Sequence, residues 1–378
     1  MIPRSVYTEE HDMFRDAVRK FMQREIEPHW QAWEAQGHIS REAWLKAGEA
    51  GILCTHLPVE YGGSGVDFRY SAIAIEEQAY VFASGPGFSL HSDIVAPYIL
   101  HYGREEQKQT WLPKMASGEV ITAIAMTEPG AGSDLAGVRT TAVENGDDYV
   151  INGSKTFITN GQMADLYIVV CKTDTSAGAK GVSLVLVEAD RAGFSRGKNL
   201  HKVGMKAQDT SELFFDNVRV PKENLLGQKN SGFAYLMQEL AQERLTVALL
   251  GVASARACYD ATVAYVKERK AFGKPVAALQ NTRFKLAEML TELEVTQTYV
   301  DRCLELHCQQ QLSVEAAASV KLWATEAQGR ITDQCVQLHG GYGYMWEYPV
   351  ARAYADARVQ RIYAGTSEIM KEIIARAI

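Results

Sequence analysis

Residues 232–251 read GFAYLMQELAQERLTVALLG, and this stretch decides the architecture of the last third of the chain. Phe233, Leu236, Met237 and Leu240 step at i, i+3, i+4 and i+7, and Val247 and Gly251 continue that face. The spacing predicts a long helix with one apolar stripe. Glu243 falls on the stripe, three residues after Leu240 and four before Val247, while Glu239 and Gln242 are expected to the side, where water reaches them. A carboxylate on a buried face is penalised for being charged, so its pKa rises toward the range of a general base. Two readings stay open on spacing alone: a structural Glu paired with Arg or a backbone donor, or a base.

Upstream of this helix the texture differs. Residues from about 119 to 226 read as strands, in DDYVINGSKTFITNG, DLYIVVCKT, GVSLVLVE and SELFFDNVRVP, separated by Gly, Asn and Asp turns. Residues from about 8 to 118 are helical, with breaks at Pro58, at Tyr61-Gly62-Gly63-Ser64-Gly65 and at Ser84-Gly85-Pro86-Gly87. Helical patterns return over 232–271, 279–310, 313–339 and from 366 onward, and Pro349 suits the first turn of a short helix. The order helices, strands, helices predicts an α+β, mostly α chain. Its parts are an N-terminal helical domain (1–118), a central β-barrel or sandwich (119–228) and a C-terminal helical bundle (229–378).

The chain has 378 residues, enough for several packed layers, and 47% hydrophobic with 22% charged residues is a globular balance. A net charge of −7 argues against nucleic-acid and anionic-membrane partners. No uninterrupted apolar run reaches the roughly eighteen residues of a membrane span, so no stable membrane insertion is expected. The N-terminus MIPRSVYTEEHDMF has neither a secretory nor a transit pattern, which leads to a cytoplasmic expectation. None of the six cysteines forms a CxxC pair and no HExxH occurs, so free thiols and no metal are expected. GxGxxG after a strand, GxxxxGK[ST] and GxSxG are missing too, which disfavours Rossmann, P-loop and α/β-hydrolase sites.

Four segments remain as candidates for chemistry. AMTEPGAGSD (125–134) runs from an apolar strand into a turn rich in amides and hydroxyls. KERKAFGK (267–274) ends a helix with clustered cations, which helix C-termini favour in any case. QLHGGYGY (337–344) lets backbone approach a ligand or serves as a tight helix exit. IYAGTSEI (362–369) places hydroxyl residues at a helix start, with Thr366 as N-cap.

In this order these segments resemble the acyl-CoA dehydrogenase family over essentially the whole chain. SGPGFSLHS (84–92), QERL (242–245) and MWEYP (345–349) bring it nearest the long-chain type. The resemblance implies a flavoprotein that oxidises an acyl-CoA to trans-2-enoyl-CoA with FAD and passes electrons to electron-transfer flavoprotein. Medium- and short-chain members carry their catalytic Glu where this chain has Ala364. Long-chain and isovaleryl-type members carry it within a QERL- or LERL-like sequence, which maps onto Glu243.

By motif position, Met126, Thr127 and Ser133 would contact the flavin, with Phe157 and Thr159 against its ring. Phe157 stands where other branches have Trp. Arg269, Phe272 and Gln280, with Gln337, Gly340 and Gly341, would reach the FAD of a neighbouring subunit, implying a homotetramer. Thr366 and Glu368 complete the cofactor set, and Glu368 is a rival base. Ser133 and Arg244 would position the CoA portion. The Tyr363-Ala364-Gly365 turn would hold the thioester carbonyl on the Ala364 N–H. Gly85-Pro86-Gly87 is expected to leave room at the far end of the acyl pocket, for a long or branched chain. Isovaleryl-type and terpenoid acyl-CoA dehydrogenases are alternatives. An acyl-CoA oxidase or a non-enzymatic flavin-binding scaffold fits the sequence less well.

Overall fold

A computed structural model describes residues 2–378. The N-terminal part holds helices α1 (Glu9–Phe21), α2 (Trp30–Gln36), α3 (Arg41–Glu49), α4 (Phe68–Tyr80), α5 (Ala96–Tyr102) and α6 (Glu105–Ala116). Their starts follow local chemistry. The Ser40 side chain caps α3 on the Ala43 N–H, and Asp67 caps α4 on the Arg69 N–H. A π-helical turn, Leu90–Val95, leads directly into α5, where Pro97 sits in the first turn and needs no N–H partner.

Eight strands follow: β1 (Thr122–Ala125), β2 (Thr141–Asn145), β3 (Asp148–Thr159), β4 (Leu166–Lys172), β5 (Val182–Glu188), β6 (Phe194–Asn199), β7 (Thr210–Pro221) and β8 (Leu225–Leu226). They form one sheet in the order β6-β7-β3-β2-β4-β5-β8, with β1 added in parallel to β4. Every residue of β4 is buried, as expected of a central strand covered on both faces. The β3–β7 ladder slips between Lys155 and Ile158, and this bulge re-aims the residues it contains.

The C-terminal part contains α7 (Gly232–Glu268), a short hairpin of β9 (Lys270–Ala271) and β10 (Lys274–Pro275), then α8 (Gln280–Cys308), α9 (Val314–His339), α10 (Pro349–Gln360) and α11 (Ser367–Ala375). Thr366 caps α11 on the Ile369 N–H and Ser313 caps α9, as the sequence chemistry requires. The most apolar window of α7 would suffice in length and composition to cross a membrane. That window is 61% buried within the fold, so the helix spends its apolar surface on the core. All six cysteines are free, and Cys308 alone among them is less than fully buried.

Two apolar clusters share the interior. One joins the N-terminal helices to the sheet. The other joins α7, α8, α9 and α10 to Phe68, Ala72 and Ile75 of α4. Helix α4 thus lies between the two clusters, and its adjacent buried carboxylates Glu76 and Glu77 are neutralised from α1 and the N-terminal arm. Arg4 forks between Glu76 and Asp301 of α8, Arg15 reaches both glutamates, and Arg19 reaches Glu77.

The glycines of Ser84-Gly85-Pro86-Gly87 do not open a pocket. A Cβ on Gly85 would lie 2.8 Å from Ala207 Cβ and 3.0 Å from Ile39 Cγ2, and one on Gly87 would lie 2.2 Å from Asn160 Oδ1. The loop is glycine because the β6–β7 connection, the α2–α3 link and the turn after β3 press against it there. Asn160 also donates from Nδ2 to the Thr122 carbonyl at 3.0 Å, so it is not free to move aside. Gly87→Ala should therefore destabilise the protein by about 1–3 kcal/mol through overpacking. A fall in the thermal midpoint measures this.

Candidate active site

From Glu243 to Leu249 every residue of α7 is buried, whereas the preceding turns are covered on one side only. Glu243 is 5% exposed and accepts a hydrogen bond from the Tyr98 hydroxyl of α5 at 2.9 Å. Burial pushes its carboxyl up to about 7, with Glu239 adding to the rise and Tyr98 and Arg244 opposing it. The apolar stripe is otherwise less regular than its spacing suggests. Leu236, Val247 and Gly251 are buried, but Met237 is exposed and Glu239 is buried. Helix α5 explains the inversion at Glu239. Its Tyr102 hydroxyl donates to Glu239 Oε1 at 2.8 Å, and His101 Nδ1 lies 2.8 Å from the same oxygen.

Arg244 is also buried, and its Nε has no partner among the described residues. Burial lowers its pKa, with Glu243 acting the other way. A guanidinium held inside with an unused donor has the chemistry to bond an anionic or carbonyl-bearing ligand.

Across α9 lies the turn Tyr363-Ala364-Gly365. Lys321 is fully buried and donates from Nζ to the Gly365 carbonyl at 2.7 Å. Burial, then the charge of Arg244, bring its pKa down to about 8. Lys321 thus holds the turn at Gly365 and lies near enough to Arg244 to feel its charge. Ala364 sits at φ +52° and Gly365 at φ +95°, left-handed values that cost a non-glycine residue about 1–2 kcal/mol. Phe157 (φ +60°) and Phe272 (φ +51°) are held likewise, so three of the ten non-glycine left-handed residues among the described residues are expected site residues. Such outliers gather where a fold fixes a functional contact. Burial pushes the Tyr363 hydroxyl up, with Asp356 nearby.

The sheet supplies a second group. Met126 and Thr127 follow the end of β1, and the Thr127 carbonyl accepts from the Thr156 N–H at 2.9 Å. That bond sets the β1 exit beside the β3 bulge, from which Phe157 projects 67% exposed with Thr159 two residues on. Ser133 is exposed on the glycine turn. Glu128 anchors that turn from behind, accepting from the Arg139 and Thr140 N–H groups and from Lys155 Nζ at 2.8 Å.

A third group lies at the far ends of α7 and α9. A cavity of about 600 Å³ is lined by Tyr265, Arg269, Gln337, Gly340, Gly341 and Tyr342, among others. Phe272, 91% exposed, forms the tip of the β9–β10 hairpin, and Gln280 opens α8. This third group shares α7 and α9 with Glu243, Arg244 and Lys321, but lies toward the opposite ends of both helices. Thr366 and Glu368 stand at the start of α11, where Glu368 is exposed. Its own backbone N–H and Thr366 hold its carboxyl below the usual range, which makes it a poor base beside Glu243.

Four residues escaped the reading of the sequence: Tyr98, Lys321, Glu128 and Lys155. Lys155 left a trace, because with Tyr149 and Ile151 it falls on the inward parity of β3. Tyr98 and Lys321 left none, since their partners lie 145 and 44 residues away.

Family models described as acyl-CoA dehydrogenase N-terminal, middle and C-terminal domains match residues 8–119, 123–218 and 230–378. The chain is 56% identical to the mitochondrial long-chain specific acyl-CoA dehydrogenase of Sus scrofa, over 99% of this chain and 88% of that protein. It superposes on an acyl-CoA dehydrogenase from Geobacillus kaustophilus with a TM-score of 0.97 and 52% identity, covering 99% of each chain. A glutaryl-CoA dehydrogenase from Mycobacterium smegmatis in complex with FADH2 matches with a TM-score of 0.91 and 30% identity, over 98% of this chain and 95% of that one.

Proposed function

This chain belongs to the acyl-CoA dehydrogenase family and is an enzyme of acyl-CoA α,β-dehydrogenation; we propose that it acts on a long acyl chain with Glu243 as base and FAD as cofactor. The observation that carries the assignment of the base is a fully packed carboxylate, raised to about 7 by burial, beside an arginine with an unused donor. The likeness to the long-chain enzyme of Sus scrofa supports the chain length.

The α-hydrogen of a thioester is weakly acidic and needs a desolvated base together with a donor for the enolate-like oxygen. Glu243 would take the α-proton on the oxygen that Tyr98 leaves free. The N–H of Ala364, fixed in its left-handed turn and steadied by Lys321 at the next carbonyl, would donate to the thioester oxygen. Arg244 and Ser133 would orient the CoA portion. Closing the site around Glu243 excludes water, which strengthens both interactions.

The residues present fit a flavin. Phe157 offers an exposed ring face beside the amides and hydroxyls of Met126, Thr127 and Thr159, and Ser133 lies on the adjoining turn. Thr366 and Glu368 would complete that end. The cavity lined by Arg269, Gln337, Gly340 and Gly341 offers cationic and backbone groups to a dinucleotide's other end. With Phe272 and Gln280 it would serve a neighbouring subunit in a homotetramer. When bound, FAD supplies the two-electron acceptor for the β-hydrogen. Electron-transfer flavoprotein would serve as the partner that takes up the electrons.

Anaerobic titration of the FAD-loaded protein with palmitoyl-CoA tests this reading through the flavin absorbance. Stoichiometric bleaching with palmitoyl-CoA, and little with isovaleryl-CoA, is the expected result. Bleaching by isovaleryl-CoA alone would overturn the long-chain assignment and leave the reaction class standing.

A further inference from the structure

Helix α5 meets α7 through a pair of matched spacings. Tyr98 and Tyr102 are four residues apart, and so are Glu239 and Glu243. Tyr98 donates to Glu243 Oε1 at 2.9 Å and Tyr102 donates to Glu239 Oε1 at 2.8 Å, so each hydroxyl meets one carboxylate. Residues i and i+4 share a helix face, which brings both pairs into one interface. The interface is braced on either side. The Tyr102 ring stacks on Tyr235 of α7 with centroids 3.9 Å apart and planes 17° apart. Gln242 Nε2 donates to the Asp93 carbonyl at 2.6 Å, just ahead of α5. Tyr98 itself is fully buried, so its hydroxyl has no water to turn to.

We propose that Tyr98 is a positioning residue of this active site: its hydroxyl occupies Oε1 of Glu243, fixes the carboxylate plane, and leaves Oε2 to receive the α-proton. This rests on the reading of Glu243 as base. An unanchored glutamate on a helix has three side-chain torsions to lose, and the hydrogen bond holds the last of them in a productive rotamer. The same bond favours the ionised carboxylate over the protonated one, opposing the burial that discourages charge there.

The other charged groups around Glu243 are Glu239, one turn earlier on α7, and Arg244, next in sequence. Lys321 of α9 faces Arg244. Asp93 meets Gln242 only through its backbone carbonyl while its carboxylate turns toward His56, His307 meets the Gln242 amide, and His101 of α5 meets Glu239 rather than Glu243. Tyr98 is therefore the donor whose removal acts on Glu243 directly.

The test is the kcat/KM–pH profile of the FAD-loaded enzyme with palmitoyl-CoA for wild type, Tyr98→Phe, Tyr98→Gln and Glu243→Gln. Tyr98→Phe removes one oxygen from a packed ring and should move the acidic limb up by about one pH unit, the effect of one hydrogen bond to a charged group. Activity well above the limb should fall less than activity below it. Tyr98→Gln returns an N–H donor and should bring the limb back toward the wild-type position. Limbs that coincide in wild type and both variants would overturn the proposal, as would an equal loss at every pH. If Glu243→Gln keeps the wild-type rate, the base assignment itself fails. If Glu243→Gln is inactive and the Tyr98→Phe profile superimposes on wild type, only the role of Tyr98 fails.

Discussion

Glu243→Gln lowers kcat/KM by about 10²–10⁴-fold at pH 8, the usual contribution of a general base, and makes the folded protein more stable at that pH. Both effects have one cause. Burial raises the carboxyl to about 7 in the folded state, from the ordinary glutamate range of about 4.3. The folded state therefore binds a proton more tightly than the unfolded chain does. The sign follows: this group's contribution to stability is intact below the unfolded value and is lost as pH rises from there to about 7. Above 7 the ionised, buried carboxylate costs roughly 3 kcal/mol, and a neutral amide of the same shape removes most of that cost. Catalysis runs the opposite way, because only the ionised form accepts the α-proton. Wild-type activity should rise through pH 7 as stability declines toward it, and Glu243→Gln should lose the activity rise and show a shallower stability decline, the remainder belonging to the buried Asp93 and Asp356 carboxyls, which burial also raises. Thermal midpoints at pH 5 and pH 8, beside kcat/KM at the same two values, measure the pair. A variant that loses activity with no gain in midpoint at pH 8 would mean that Glu243 is not the strained group its burial implies.

The parts of this site that the sequence exposes are those written in short-range pattern. The helix–strand–helix order follows from periodicity, and the Thr366 cap follows from one hydroxyl before a helix start. Glu243 announces itself because a charge interrupts an apolar stripe at helical spacing. What stays hidden depends on partners far along the chain. Glu239 reads as solvent-facing because nothing near it reveals that α5, more than 130 residues earlier, brings Tyr102 and His101 to it. Gly85 and Gly87 read as open space, when in the fold Ala207 and Asn160 occupy the place of a Cβ. A glycine in sequence says that a side chain is missing, and only packing says whether a pocket or a neighbour fills the gap. Glu128 is the subtler case. It sits inside a motif that the sequence displays plainly, yet its task is to face inward and hold the motif's backbone, and motif spacing does not encode which way a side chain turns.

The second large effect belongs to that inward face. Lys155 is fully buried and Glu128 nearly so, with Nζ to Oε1 at 2.8 Å and a further bond from Nζ to the Met126 carbonyl at 3.0 Å. Burial works against the charge on Glu128, but Lys155 and the Arg139 and Thr140 N–H groups together hold its carboxyl below the usual range. Lys155→Met should destabilise the protein by about 3–5 kcal/mol, because it strands a buried carboxylate without its cation. It should also lower flavin content, since the turn carrying Met126, Thr127 and Ser133 is what the pair secures. The Glu128→Gln/Lys155→Met double variant tests whether the loss comes from an orphaned charge or from a missing contact. A neutral pair of similar volume should regain most of the stability. It should also flatten the acid limb of the stability curve. Glu128 stabilises the fold above its unfolded value, about 4.3, and that contribution disappears as pH falls through its lower folded value. With no ionised carboxylate at this position the slope has no source there. If the double variant is no more stable than Lys155→Met, the lysine acts through its hold on the Met126 carbonyl and its packing, and the charge pair is incidental to the turn.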